Sequence, residues 1–201
     1  PMKIVVLGAG NVGLAVARLA CGLKAEVVMM DTNIDRLGHI TDCLLPQAST
    51  EFSSHENICK EIKDADIVYN CVKYFPGLKL ITREMLRLMK PNSLIVDIDA
   101  EPNGAIETSQ YSTHEEPVFY VDGIRHIGIP NLPSAVANTA SKALSNATIP
   151  YIIEIADKGW RKASLENDKL ICGLDFVKGK LTFKETADAH GIAYTNVKDV
   201  L

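Results

Sequence analysis

The sequence predicts an α/β fold in which helices cover both faces of a mainly parallel, doubly wound sheet, followed by a helical C-terminal tail. Two observations predict it. From residue 3 to about residue 130, short apolar strand segments alternate with amphipathic helical segments, an order typical of parallel sheets covered on both faces. In addition, the first apolar strand runs directly into Gly8-Ala9-Gly10-Asn11-Val12-Gly13 at the start of a helix. This pattern of strand, glycine turn and helix is typical of Rossmann-type dinucleotide-binding domains.

The individual elements of this sheet follow from hydrophobic periodicity and from breaker residues. Strands are predicted at residues 3–7, 26–31, 49–53, 65–72 and 94–98. Helices are predicted at residues 11–23, 33–43 and 55–63, and from Thr82 to the residue before Pro91. Two further strands between residues 117 and 129 are joined by Asp122-Gly123, a strong signal for a hairpin turn.

The pattern changes after Pro133, which predicts a Rossmann NAD-binding domain at residues 1–133 and a helical extension at residues 134–201. Residues 134–157 form one long helical pattern that contains Pro150, and this proline is expected to kink or divide the helix. The extension is too short to form an independent substrate domain with a cleft of its own. We therefore expect it to pack on the nucleotide-binding domain, or on a further domain or partner.

Composition and charge predict an ordinary soluble, cytoplasmic protein. The 201 residues are 47% hydrophobic and carry a net charge of −4, which gives no reason to expect nucleic acid or a membrane surface as a partner. No apolar run approaches the ~20 residues that a membrane-spanning helix needs. The five cysteines are widely spaced, without metal-ligand spacing. They are expected to be buried thiols, so no metal site and no disulfide is predicted.

The glycines and the acidic residue that follows them predict a dinucleotide site. Gly8 would form the tight turn, Gly10 would admit the pyrophosphate, and Gly13 would let helix and strand pack closely. Asp31 ends the second strand and is expected to accept hydrogen bonds from a ribose, which favours NAD over NADP because a carboxylate repels the 2′-phosphate. The alternative is that Asp31 caps the following helix. Arg36 is near enough to accommodate a 2′-phosphate, but the position of Asp31 is the stronger argument.

Three carboxylates lie at the end of the fifth strand, at the edge of the sheet where ligands of open α/β folds bind. Asp97, Asp99 and Glu101 alternate there, and one of them pointing into the cleft is a candidate acid/base or substrate-orienting group. The alternative is that they are solvated loop acids. His114 and His126 are interpreted as structural residues, because isolated histidines near strand ends are more often structural than catalytic.

Seven segments, which keep one order along the chain, together point to a known family; they are residues 6–13, 31–37, 81–85, 105–109, 113–117, 143–151 and 156–160. With these segments the chain resembles the nucleotide-binding part of alanine dehydrogenases and of the related transhydrogenase α-subunits. The resemblance covers nearly the whole chain. It implies NAD as the cofactor and, in the complete enzyme, the oxidation of L-alanine to pyruvate and ammonia.

The resemblance also implies the residues of the site. With the glycine fingerprint, the cofactor-binding residues are Gly8, Gly10, Asn11, Val12, Gly13, Asp31, Arg36, Ser53, Val72, Lys73, Ile98, Asn131 and Leu132. The family carries a catalytic aspartate after the fifth strand, and Glu101 stands at that position as the catalytic candidate. Gln110 stands where the family has an arginine that contacts the cofactor.

The resemblance implies partners as well. In the family, a lysine and a histidine on a further N-terminal domain bind and protonate the keto acid, and the 201 residues are expected to lack this domain. We therefore expect this chain to hold the cofactor and to depend on such a domain, which a separate polypeptide could supply. The family forms homo-oligomers, and a homo-oligomer is expected here. Two alternatives remain open: a stand-alone NAD-binding module without catalysis, and an opine-type synthase that joins an amino acid to a keto acid and reduces the imine.

Overall fold

The computed structural model of the protein describes residues 1–44 and 46–201. It consists of two compact units, Pro1–Ala135 and Val136–Leu201, and each is described here by itself.

The first unit is built on a seven-stranded sheet. Its strands are β1 Lys3–Leu7, β2 Glu26–Asp31, β3 Ala48–Phe52, β4 Ile67–Asn70, β5 Leu94–Asp97, β6 Phe119–Val121 and β7 Ile124–Ile127. They lie in the order β3-β2-β1-β4-β5-β7-β6, and all neighbours pair in parallel except the hairpin of β6 and β7. The order reverses between β1 and β4, so the crevice for a ligand is expected above those two strands.

Helices cover both faces of this sheet. They are α1 Asn11–Gly22, α2 Ile34–Leu44 and α3 His55–Ile62, together with a 3-10 helix at Glu84–Leu88. Along β1, Val5 and Leu7 enter the core beneath α3 and the 3-10 helix, whereas Ile4 and Val6 enter the core beneath α1 and α2. Successive side chains of a strand point to opposite faces, so this alternation supplies apolar residues to both layers. The predicted doubly wound α/β fold is confirmed.

Of the predictions for the hairpin and for the helix before β5, one is confirmed and the other is wrong. Asp122 and Gly123 both adopt positive φ, at 49° and 84°, as a two-residue type I′ turn requires, and the predicted hairpin is confirmed. The helix predicted from Thr82 is wrong in type, because only a short 3-10 helix forms. Ile81 is held in a bridge with Ile106, and Pro91 disfavours helical backbone in the residue before it. The stretch between these two constraints forms one short 3-10 helix, Glu84–Leu88, in place of an α-helix.

A buried ion-pair network lies at the amino edge of the sheet, opposite the carboxyl edge. The Lys3 ammonium contacts Glu61 at 2.9 Å and Asp64 at 2.6 Å. Glu61 also contacts Lys60 at 2.9 Å. Burial opposes ionisation of Glu61, but hydrogen bonds from Lys3 and Lys60 outweigh it, so the pKa of the Glu61 carboxyl lies below its ordinary value. The network therefore stabilises the fold when Glu61 is ionised.

The second unit is mainly helical. It contains α4 Ala137–Lys158, α5 Trp160–Glu166, α6 Asp168–Cys172, the two-residue strands β8 Phe176–Val177 and β9 Lys180–Leu181, and α7 Lys184–His190. Helix α4 contains Pro150 and is not divided there, so a division at this residue is wrong. Proline removes a single helical hydrogen bond, and a long helix can continue past it. Among residues 1–44 and 46–201, no helix is long and apolar enough to cross a membrane.

The cysteines are less buried than predicted. Cys43 and Cys172 are exposed, and Cys21, Cys59 and Cys71 are half-buried. The prediction of five buried thiols is therefore wrong, although all five cysteines are free. Cys43 is exposed because it lies on the outer side of α2, whereas Leu37 and Ile40 of that helix enter the core. A regular amphipathic helix always leaves such a solvent face.

Candidate functional site

A cleft of about 500 Å³ opens at the carboxyl edge of the sheet, beyond the ends of β1 and β4, where the strand order reverses. Its lining comes from the end of β2 and from the segments that follow β1, β2, β3 and β4: Gly8, Gly10, Met30, Asp31, Thr32, Arg36, Ser53, Cys71, Val72, Lys73, Phe75, Leu78 and Leu80. Seven residues of the predicted cofactor set are thus brought together here: Gly8, Gly10, Asp31, Arg36, Ser53, Val72 and Lys73. Segments separate in sequence meet because parallel strands end at one edge.

The glycine turn builds the floor of the cleft. Gly8 has a positive φ of 100°, and its N–H donates to the Met30 carbonyl at 2.7 Å. A Cβ at Gly13 would lie 1.9 Å from the Gly8 carbonyl oxygen, whereas no atom of the described residues lies within 4 Å of a Cβ built at Gly10. Gly13 is therefore required by packing, and Gly10 leaves open space beside the cleft. That space fits the close approach of a pyrophosphate.

Helix α1 presents its N-terminus at the same turn. It begins at Asn11 with Gly10 as N-cap, and none of the described side chains caps it. The first N–H groups of a helix carry a partial positive charge and bind anions. Asn11, Val12 and Gly13, all predicted as cofactor residues, form this first turn, although they do not line the cleft.

Asp31 braces the glycine turn. One carboxylate oxygen accepts the Ala9 N–H at 2.7 Å, and the other accepts the Asn33 N–H at 2.8 Å. The Arg36 guanidinium lies 3.9 Å away. The side chain that caps α2 is Asn33, which accepts the Arg36 N–H at 3.1 Å, so the helix-cap alternative for Asp31 is not favoured. A carboxylate oxygen can accept more than one hydrogen bond, which leaves Asp31 able to accept a ribose hydroxyl.

The remaining predicted cofactor residues lie outside this cleft, on the segments after β5 and β7. Ile98 follows β5 directly, and its N–H donates to the Asn70 carbonyl at 3.0 Å. Asn131 precedes a 3-10 helix at Leu132–Val136. The Asn131 carbonyl accepts the Ser134 hydroxyl at 2.7 Å, and His114 contacts that hydroxyl at 2.7 Å. His114 therefore braces this turn, in agreement with a structural role.

The three alternating carboxylates have separate partners. The buried Asp97 accepts a hydrogen bond from the Asn70 amide at 2.8 Å. Asp99 accepts the Tyr74 N–H at 2.6 Å. Glu101 accepts the Tyr111 hydroxyl at 2.7 Å. Asp97 is thus neither a solvated acid nor open to a ligand, whereas Asp99 and Glu101 are exposed.

Several residues of the site were not predicted from the sequence. Phe75, Leu78 and Leu80 form an apolar part of the cleft wall, and Tyr111 holds Glu101. The loop that carries the first three is tied by Lys79, whose ammonium donates to the carbonyls of Asn103 and Gly104. Only the apolar character of Phe75, Leu78 and Leu80 was visible in the sequence, and no local signal links Tyr111 to Glu101.

His126 is part of the core. Its side chain is 2% exposed and stacks on Phe119 with ring centroids 5.2 Å apart. The Thr108 hydroxyl lies 2.9 Å from Nε2, and Nδ1 lies 3.1 Å from the Ile124 carbonyl, so Nδ1 carries the proton and Nε2 accepts. Burial lowers the pKa of His126, which keeps it neutral. This supports the structural interpretation.

Burial raises the pKa of Asp97 above its ordinary value of 3.8, and the Asp99 carboxylate adds to the rise, although the nearby Ser109 side chain and the hydrogen bond from Asn70 oppose it. A carboxyl with a raised pKa in the folded state favours folding while it is protonated, and this contribution is lost as pH rises through the raised value.

We therefore expect Asp97→Asn to melt close to wild type near pH 4 and at a higher temperature than wild type at pH 7, because the amide stays neutral. Thermal melts across this range measure the difference in Tm. Gly22→Ala, which changes no titratable group, is the control, and its Tm difference from wild type should not vary with pH. A Tm difference for Asp97→Asn that does not change with pH would contradict the assignment.

A doubly wound sheet with a glycine turn, an uncapped helix N-terminus and an acidic residue at the end of β2 defines the class of Rossmann-type dinucleotide-binding domains of oxidoreductases. Residues 1–184 match the family model described as "Alanine dehydrogenase/PNT, C-terminal domain". The chain belongs to this family, and the predicted resemblance is confirmed.

Individual relatives agree with the family model. An alanine dehydrogenase of Halomonas elongata is 40% identical over 204 residues, which cover 100% of this chain and 55% of the relative. A solved L-alanine dehydrogenase structure superposes with a TM-score of 0.85 at 32% identity, covering 95% of this chain and 53% of that one. A transhydrogenase from Sinorhizobium meliloti gives a TM-score of 0.61 at 31% identity, covering 70% and 40%. The chain spans about half the length of the alanine dehydrogenases it matches.

Proposed function

We propose that this chain binds NAD(H) as the cofactor-binding part of an alanine dehydrogenase-type oxidoreductase. The observation that carries the proposal is the cleft in which the glycine turn meets the Asp31 carboxylate. Open space at Gly10 fits a pyrophosphate. Asp31 fits a ribose with free hydroxyls better than one with a 2′-phosphate, because two negative groups would lie side by side. This favours NAD over NADP, although Arg36 also lines the cleft.

The proposed cofactor-binding residues are assigned to different parts of the cofactor. Arg36 and Ser53 lie on the Asp31 side of the cleft and are assigned to the adenosine end. Val72 and Lys73, after β4, are assigned to the middle of the cofactor and the nicotinamide end. Ile98, Asn131 and Leu132 are assigned to the nicotinamide end as well. The uncapped first turn of α1 would hold the pyrophosphate.

NAD(H), when bound, supplies hydride transfer, and the substrate proposed from the relatives is L-alanine in one direction and pyruvate with ammonia in the other. Glu101 is the proposed catalytic residue, because its carboxylate is exposed and is held in place by Tyr111. It would orient the substrate or relay a proton. The groups that bind the substrate are proposed to come from a further domain or a separate polypeptide, and a homo-oligomer is proposed as the assembled form.

Titration with NADH and NADPH tests the cofactor assignment. We expect NADH to bind at least about tenfold more tightly than NADPH. Asp31→Ala should lose NADH affinity by about ten- to a hundredfold, since hydrogen bonds to a charged group contribute roughly 1.5–3 kcal/mol. Asp35→Ala, an exposed carboxylate on the next helix, is the matched control and should bind NADH like wild type. Equal affinities of Asp31→Ala and wild type for NADH, or a preference for NADPH, would count against the proposal.

A further inference from the structure

Asn70 and Asp97 form a buried polar pair at the carboxyl ends of β4 and β5. They are register partners in the sheet, and their side chains are 0% and 2% exposed. The Asn70 amide nitrogen donates to the Asp97 carboxylate at 2.8 Å. Neither side chain is open to a ligand, so the pair acts on a ligand only through other residues.

Asn70 accepts hydrogen bonds from backbone N–H groups of both segments that leave the sheet here. The Asn70 side-chain oxygen accepts the Val72 N–H at 3.2 Å, and the Asn70 carbonyl accepts the Ile98 N–H at 3.0 Å. Asp97 determines which way the amide faces: since the nitrogen must donate to the carboxylate, the oxygen is directed at Val72. The two segments are joined a second time, where Asp99 accepts the Tyr74 N–H at 2.6 Å.

The apolar surroundings of the pair indicate that its role is not to stabilise the fold. Ile81, Ile95 and Ile106 are fully buried in the core on the same face of the sheet. A carboxyl in such a place is costly to bury, and apolar residues of similar volume often stabilise a fold as well or better. What the polar pair adds is a defined geometry for Val72 and Ile98.

We propose that Asn70 and Asp97 are positioning residues for the nicotinamide end of the cofactor. They act by setting the spacing between Val72 and Ile98, which are assigned to the nicotinamide. The inference rests on the proposed function, NAD(H) binding. It concerns one end of the cofactor only, since Gly8, Ala9 and Asp31 form hydrogen bonds with one another, with Met30 and with Asn33, and not with this pair.

The test compares the affinities of NADH and ADP-ribose, which lacks the nicotinamide. We expect the wild-type chain to bind NADH more than about tenfold more tightly, and Asn70→Ala and Asn70→Leu to bring this ratio close to one, because the two side-chain bonds that are lost correspond to about tenfold. The affinity for ADP-ribose should stay within about twofold of wild type. Thr108→Val, which removes a buried hydrogen bond to His126 on the same face, is the matched control and should keep the wild-type ratio.

An exchanged pair provides the rescue. In the double variant Asn70→Asp with Asp97→Asn, the amide at position 97 can donate to the carboxylate at position 70, which still accepts the Val72 N–H. We expect the NADH to ADP-ribose ratio to return to within about threefold of wild type. If the single variants at Asn70 do not fold, as judged by circular dichroism, the exchanged pair alone decides: a wild-type ratio supports the inference, and a ratio near one overturns it.

The other outcomes separate the inference from the proposed function. Three results overturn the positioning role while leaving cofactor binding in place. They are an NADH to ADP-ribose ratio near one in the wild-type chain, a ratio in Asn70→Ala that equals that of wild type, and a loss of both affinities by the same factor in Asn70→Ala. A wild-type chain that binds neither NADH nor ADP-ribose overturns the proposed function itself. A folded exchanged pair with a ratio near one contradicts the pairing, whatever the single variants do.

Discussion

A methyl group added at Gly13 should destabilise the whole first unit, whereas the same change at Gly10 should remove cofactor affinity and leave the fold intact. At Gly13 the new Cβ would lie 1.9 Å from the Gly8 carbonyl oxygen, a distance that forces α1 away from β1. We expect Gly13→Ala to lower the free energy of unfolding by about 3 kcal/mol, the upper end of the cost of overpacking a close-packed site. NADH affinity should be lost with it, because the turn and the helix N-terminus move together.

Gly10→Ala is the informative comparison. Its backbone φ of −79° suits any residue, and no described atom lies within 4 Å of the new Cβ. The stability cost should be about 0.5 kcal/mol, since alanine is a poorer N-cap than glycine. NADH affinity should fall at least about tenfold, because the methyl group would occupy the space through which the pyrophosphate approaches the backbone.

Urea denaturation and NADH titration, performed on both variants, measure the two effects separately. Gly22→Ala, at the far end of α1 and also without a neighbour of its Cβ among the described atoms, should leave NADH affinity unchanged and should not lower the free energy of unfolding, because alanine is the better helix former. A stable Gly13→Ala that binds NADH, or a Gly10→Ala with wild-type affinity, would contradict the assignment of the site.

Removal of the Lys3 ammonium should lower the free energy of unfolding nearly as much as Gly13→Ala does, without changing the affinity for NADH. The Lys3 and Glu61 side chains are only 11% and 9% exposed and meet at 2.9 Å. Lys3→Met leaves the Glu61 carboxylate buried with Lys60 as its remaining cation, and breaking such a pair costs about 3 kcal/mol. The pair lies at the start of β1 and the cleft follows its end, so NADH affinity should match wild type.

The same variant has a defined pH dependence. Because the pKa of Glu61 is lowered below 4.5 in the folded protein, the stabilisation is complete above the ordinary pKa and is lost as pH falls through the lowered one. The difference in unfolding free energy between wild type and Lys3→Met should therefore shrink in acid. Lys90→Met breaks a more exposed pair with Asp66, 43% and 39% exposed, and should have a much smaller effect. Equal losses in the two variants would show that burial of the network does not matter.

The sequence was sufficient to predict most of the sheet. Strands β1 and β2 appear where their apolar runs lie, because a central strand of a parallel sheet is buried on both sides and reads as a continuous apolar segment. Strand β4 is shorter than the predicted range 65–72, since pairing ends at Asn70. Beyond it, the Val72 N–H turns to the Asn70 side chain. An apolar run does not reveal where a strand leaves its sheet.

The candidate site, like the sheet, has parts that the sequence predicts and parts that it does not. The glycine turn and Asp31 were predicted because their spacing is local to one strand–helix–strand unit, and the cleft brings Gly8, Gly10 and Asp31 together. The assignment of these residues to NAD stays a prediction, which the titration with NADH and NADPH tests. The structural interpretation of His126 rested on the rarity of catalytic histidines near strand ends; its hydrogen bonds to Thr108 and Ile124 now provide the physical reason.

By itself the sequence determined the doubly wound fold and the dinucleotide half of the site, because hydrophobic periodicity and a glycine turn are short-range patterns. Only the tertiary structure decided what the three carboxylates at and after the end of β5 do. Their partners Asn70, Tyr74 and Tyr111 lie 27, 25 and 10 residues away along the chain. Hydrogen bonds depend on distances of a few tenths of an ångström, and residues so far apart reach them only when the strands and loops have packed.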